Sequence, residues 1–153
     1  MNRDYDATPV NLLGRANSWY ELATCGINNP VSDFTTERYV ALCFSIEFFL
    51  KALLCLDKNN AKTEALKKYS HKLGMTKTAA LAVVKDDNIR KLINEFFTKY
   101  SELEDRDVVK TRYGKLGEVT TYGAGMLTDD LYPKILQAAN QVIYKEWTWR
   151  NQS

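Results

Sequence analysis

Histidine is almost missing from this chain, and cysteine is scarce: there is one histidine, His71, and three cysteines, Cys25, Cys43 and Cys55. With a single imidazole, no CxxC pair and no carboxylate–histidine cluster at ligand spacing, a zinc site has nothing to build on, and no metal or other cofactor is expected. An odd number of cysteines without a framework argues against disulfides. All three lie in apolar stretches and read as free thiols buried in a core, in a reducing, cytoplasmic setting. A catalytic cysteine needs a base beside it, and nothing in the order of residues brings His71 to any of the three.

Charge of one sign is also lacking. The formal net charge is +2, so the chain has no global electrostatic footprint for non-specific nucleic-acid binding. No apolar run is long enough for a membrane span. The longest, Tyr39–Leu56, is interrupted by Glu47 and Lys51 and reads instead as a buried helix. The first ten residues are polar and lack a signal-peptide pattern. No stretch alternates apolar and polar residues for long enough to require a sheet; only Glu118–Tyr122 hints at a short strand.

What is present is helical periodicity. A length of 153 residues with 45% hydrophobic side chains is enough for one domain with its own core, which we read as spanning 1–153, with its packed part at 9–149. Thr8 can cap a first helix that opens with Pro9, where the missing N–H is harmless, and runs to Ile27 before the Asn28-Asn29-Pro30 stop. A second helix, Phe34–Leu56 with Ser32 or Asp33 as cap, is apolar around most of its circumference and belongs at the centre of a bundle or in a subunit interface. After a lysine-rich connection, Ser70 caps a third helix over His71–Lys85. Asp86 or Asp87 caps a fourth over Asn88–Leu103, where Ile89, Leu92, Ile93, Phe96, Phe97, Tyr100 and Leu103 fall on one face. Residues 104–128 read as an irregular loop holding four of the seven glycines, and such a long loop is often functional. A last helix runs from Leu131, behind Asp129 or Asp130, to Trp149 and keeps Pro133 in its first turn. The fold class is therefore all-α, an up-and-down bundle of four to five helices.

Glu47 and Lys51 lie four apart and share one face of the most apolar helix, so both need partners if buried. One reading is an ion pair that fixes helix register, with His71 or Arg112 as further partner. The other is a polar pocket between helices in which Lys51 and Arg112 contact an anion. For His71 the plain expectation is a neutral imidazole donating to Glu47; a general base without a nucleophile or an oxyanion donor is not a mechanism. Gly114-Lys115-Leu116-Gly117 reads as a flexible turn rather than a nucleic-acid clamp. The lysines at 58, 62, 67, 68, 72 and 77 read as a solvated face, with phosphate contacts to RNA as the alternative. Trp147 reads as packed on the bundle or on a partner rather than as a stacking platform for bases.

Three pieces in this order carry a resemblance. Ser45-Ile46-Glu47-Phe48-Phe49-Leu50-Lys51-Ala52-Leu53-Leu54 resembles the central helix of the HEPN family, the higher eukaryotes and prokaryotes nucleotide-binding domains. Ser70-His71-Lys72-Leu73 resembles the family's opening of the next helix, and Arg112-Tyr113 its Arg-Tyr dipeptide. In order and spacing the resemblance extends over most of the chain, about Val10 to Trp147. The resemblance implies a HEPN-like helical bundle, commonly a homodimer, in toxin–antitoxin, phage-defence or RNA-processing settings. A nucleotide or RNA ligand is implied, and a companion protein such as a nucleotidyltransferase or antitoxin. Family ribonucleases carry an Arg-x4-6-His motif. Here the positions that would need arginine are Glu64, Ala65 and Leu66, so no catalytic residue carries over. What carries over is a ligand-binding set: Glu47, Lys51, His71, Arg112 and Tyr113. The expectation is a catalytically silent binding or protein-interaction module; the alternative is a metal-independent ribonuclease whose rearranged site uses His71 and Arg112.

Overall fold

A computed structural model describes residues 8–29, 33–57, 66–69, 71–112 and 125–151, the side chains of 112 and 147–151 excepted. It is an all-α bundle. The elements are α1 (Pro9–Thr24), α2 (Thr36–Leu54), α3 (Leu73–Val83), α4 (Asp87–Lys99), a 3-10 turn (Ser101–Asp105), α5 (Val108–Arg112) and α6 (Leu131–Asn151). Among the described residues there is no strand; Lys72 and Asp107 form an isolated antiparallel bridge. No described helix is long and apolar enough to cross a membrane.

The core is organised around α2. Leu42, Cys43, Ile46, Phe49, Leu50, Ala52, Leu53 and Leu54 are fully buried on it, and it packs against α1, α3, α5 and α6. Each buried leucine or phenylalanine contributes roughly 1.5–3 kcal/mol, so this helix supplies much of the apolar driving force. One polar knot crosses this region. The Ser45 hydroxyl donates to Ala16 O (2.6 Å) and shares a 2.5 Å hydrogen bond with Tyr132 Oη, tying α1, α2 and α6 together. Burial drives the Tyr132 phenol far above its ordinary pKa, so it stays a neutral hydrogen-bonding group.

Several ends differ from the sequence reading, for local reasons. Thr8 caps α1 as expected, accepting from Asn11 N at 3.1 Å, but α1 ends at Thr24, with Gly26 at φ 69 just beyond. Asp33 does not cap α2. Its carboxylate accepts from Asn28 N and Asn29 N, both at 2.8 Å, and so closes the α1–α2 turn; Thr35 caps α2 through Arg38 N. The third helix starts at Leu73, not His71, because residues 71–73 pair with 106–108 instead: Leu73 N donates to Arg106 O, and Val108 N to His71 O, both at 3.0 Å. Ser70, expected as its cap, lies outside the described residues. Asp86 caps α4 (Ile89 N, 2.9 Å), which ends at Lys99, so Leu103 belongs to the 3-10 turn rather than to the helix. The segment 104–128 is less irregular than its glycines suggest: the 3-10 turn, α5 and a helical turn at 125–128 occupy part of it. Residues 113–124, with the expected Glu118–Tyr122 strand and three of the four loop glycines, lie outside the described residues. Cys43 and Cys55 are buried as expected, but Cys25 is exposed, because α1 ends one residue before it.

Asp129 anchors the start of α6. It accepts from Leu131 N (2.9 Å), from Lys99 Nζ (2.6 Å) and from the Tyr100 hydroxyl. Burial alone would raise its pKa, but these bonds outweigh it and hold the carboxyl below its ordinary value. A depressed folded-state pKa means that the stabilisation is present above the unfolded value, near 3.9, and is lost as pH falls through the folded one. Urea midpoints at about pH 6 and about pH 3 should therefore differ less for Asp129→Asn than for the parent; an equal drop in both would show that the clasp contributes nothing.

Candidate functional site

Four-residue spacing on α2 sets one side chain above another. Tyr39, Cys43, Glu47 and Lys51 fall on successive turns and form a polar seam on an otherwise apolar helix. Glu47 is 2% exposed, so its charge needs compensation. Two cationic or potentially cationic groups meet it at one oxygen: Lys51 Nζ donates to Glu47 Oε1 at 2.7 Å, and His71 Nδ1 lies 2.8 Å from the same atom. Lys51 is 13% exposed and His71 44%. The three thus run from the core to the surface, with the imidazole at the outer end.

The backbone fixes that outer end. His71 O accepts from Val108 N, so the imidazole is carried on a segment clamped by the chain at 106–108 rather than on a helix. The next residues reinforce the clamp. Gly74 lies so close to the 3-10 turn that a Cβ there would stand 2.1 Å from Glu104 O. Lys77 also bonds Glu104, with its ammonium over the Phe97 ring at 5.1 Å.

Of the five expected ligand-binding residues, the structure brings together Glu47, Lys51 and His71. Arg112 ends α5, which packs against α2, but its side chain lies outside the described residues, and so does Tyr113. Two residues that the sequence reading did not single out adjoin the seam. The Arg106 guanidinium lies 5.4 Å from the Tyr39 ring centroid, a cation–π contact, and Glu102 lies one turn before it. Their only sequence signal is a Glu/Arg pair four apart, which is too common to stand out.

The seam is poor in nucleophiles. Burial pushes the Cys43 thiol up to about 12; Arg106 and Tyr39 draw it down, whereas Glu102 and Glu47 add to the rise. Burial likewise lifts Cys55 to about 12 and takes Tyr39 well above the tyrosine range. Groups held protonated at neutral pH do not attack. Among the described residues no three His, Cys, Asp or Glu side chains gather at a position suited to a metal ion. What the arrangement offers is a fixed imidazole and an ammonium at the edge of a buried carboxylate, suited to holding a ligand by charge and hydrogen bonds. The clefts between α1 and α6, of about 310 and 210 Å³, are lined by uncharged side chains such as Asn17 and Asn140 and offer no comparable chemistry.

No protein-family model, no curated protein and no solved structure gives a significant match to this chain.

Proposed function

We propose that this chain is a catalytically silent, HEPN-like binding module. Its site is the Glu47–Lys51–His71 cluster, with Arg112 and Tyr113 as further contacts, and its ligand is a nucleotide or an RNA end. The observation that supports this reading is the convergence of Lys51 and His71 on a single oxygen of a buried carboxylate, with the imidazole 44% exposed. Glu47 orients both groups, and the exposed part of the ring is left to face a phosphate or base edge. The resemblance in the central helix and around His71 supplies the ligand class. It also supplies the proposed setting: a cytoplasmic homodimer in a toxin–antitoxin or phage-defence system, with a nucleotidyltransferase or antitoxin as companion.

Calorimetric titration with adenosine and guanosine nucleotides and short RNAs tests the binding. We expect saturable heat for at least one of them and an affinity at least tenfold weaker in His71→Ala, about the worth of one charge-assisted hydrogen bond. The half-exposed histidine is a small part of the fold, so this variant keeps the core intact. No heat with any nucleotide or RNA at millimolar concentration would refute the proposal.

The exposure of His71 also favours a second reading, a ribonuclease with His71 as base and Arg112 as cation. Incubation of structured and single-stranded RNA with the parent and with His71→Ala decides between the two. Cleavage by the parent alone would replace the silent module with an enzyme.

A further inference from the structure

α1 and α6 pack side by side and leave two open clefts between them, of about 310 and 210 Å³. Asn17 and Asn140 line both, so the clefts form one continuous groove. It follows α1 from Val10 to Tyr20, about 15 Å at a helical rise of roughly 1.5 Å per residue. Its floor is apolar and buried, at Leu13, Leu136 and Ile143, and its rim carries the amides of Asn17, Gln137 and Asn140. Charged residues make up 26% of the chain, yet none lines either cleft. At one end Val10 and Tyr144 stand 44% and 69% exposed.

Gly14 opens into this groove from the interior of α1. A glycine there weakens a helix about fivefold relative to alanine. No neighbour in the chain requires it, since a Cβ at Gly14 would meet no atom within 4 Å. A bare stretch of helix backbone on an open groove is where another backbone can come close.

We propose that the groove between α1 and α6 receives a second copy of this chain, about a twofold axis passing near Gly14. Beside such an axis each side chain meets its own copy. A charge there would face its like and be repelled, and this groove has none. An amide holds both donors and an acceptor, so it pairs with itself. The rim therefore suits a second copy better than a nucleic acid, whose phosphates would find no cation in it. The exposed Tyr144 ring is of the type enriched in such contacts. The resemblance implies a homodimer without assigning its face; the face follows from these two helices alone. A groove this short lies at the small end of interfaces, so the dissociation constant should be micromolar.

Sedimentation of the full chain between about 5 and about 500 µM tests the proposal. The average mass should rise towards two chains in the parent and stay at one in Gly14→Arg, whose side chain brings bulk and like charge to the axis. Arginine is a good helix former and the position is open, so at the lowest concentration this variant should unfold at no lower urea midpoint than the parent. Leu22 is 62% exposed on α1 but lines neither cleft, and Leu22→Arg should dimerise like the parent. A parent that stays at one chain's mass would overturn the proposal. So would a Gly14→Arg variant that dimerises as the parent does, or loss of the dimer in Leu22→Arg alone. Dimerisation that survives Gly14→Arg would leave the homodimer on another face. Nucleotide titration reads the binding proposal separately, because Glu47, Lys51 and His71 lie on neither α1 nor α6.

Discussion

Lys51→Ala should destabilise the protein by about 3 kcal/mol, because removing one partner of a buried ion pair leaves the other charge uncompensated. Glu47 is 2% exposed, and without Lys51 the hydrogen-bond partner that remains to it among the described residues is the His71 imidazole. The magnitude sits at the lower end of the range for buried pairs because Lys51 is 13% exposed and its own desolvation is incomplete. Urea denaturation measures the effect. The companion double variant Glu47→Leu/Lys51→Leu should fall within about 1 kcal/mol of the parent, since an apolar pair of similar volume incurs no charge desolvation. A single variant as stable as the parent would mean that the pair is not electrostatically buried. The proposed site would then lose the carboxylate that orients it.

Gly74→Ala is the second large effect, at about 2–3 kcal/mol of destabilisation, the upper part of the range for overpacking a tight contact. The new Cβ would sit 2.1 Å from Glu104 O and 3.0 Å from the Glu104 carbonyl carbon. That neighbour is backbone, so the 3-10 turn has to move. The turn leads directly into the residues whose bonds to Leu73 N and His71 O clamp the start of α3. Alanine's better helix propensity returns at most about 1 kcal/mol, too little to reverse the sign. The same variant should weaken ligand binding if His71 is positioned by this clamp, whereas a wholly local clash would leave binding intact. Equal or greater stability by urea denaturation would show that the turn yields without strain.

Most of the helices were legible from the chain because their signals are local. The i, i+3, i+4 pattern of Ile89, Ile93, Phe96 and Phe97 identifies α4, and the Thr8-Pro9 and Asp86 caps are read within four residues of the helices they start. Boundaries were misjudged where a competing contact came from elsewhere. Asp33 is a good cap by type, but the turn between α1 and α2 takes it for the Asn28 and Asn29 N–H groups. His71 reads as the first residue of a helix, but the 106–108 segment offers its backbone a different partner.

The candidate site divides in the same way. The pairing of Glu47 with Lys51 followed from the 3.6-residue repeat alone, and burial followed from their oily neighbours, since both depend on residues a few positions apart. The order of similar motifs brought His71 to the same carboxylate. Only the tertiary structure put Arg106 over Tyr39 and the Glu104 carbonyl against Gly74. These meetings join segments far apart in the chain, and their geometry depends on how the helices and the short 3-10 turn settle on α2. No periodicity within one helix encodes that path, because each segment's pattern specifies which face is buried and leaves open what the face is buried against.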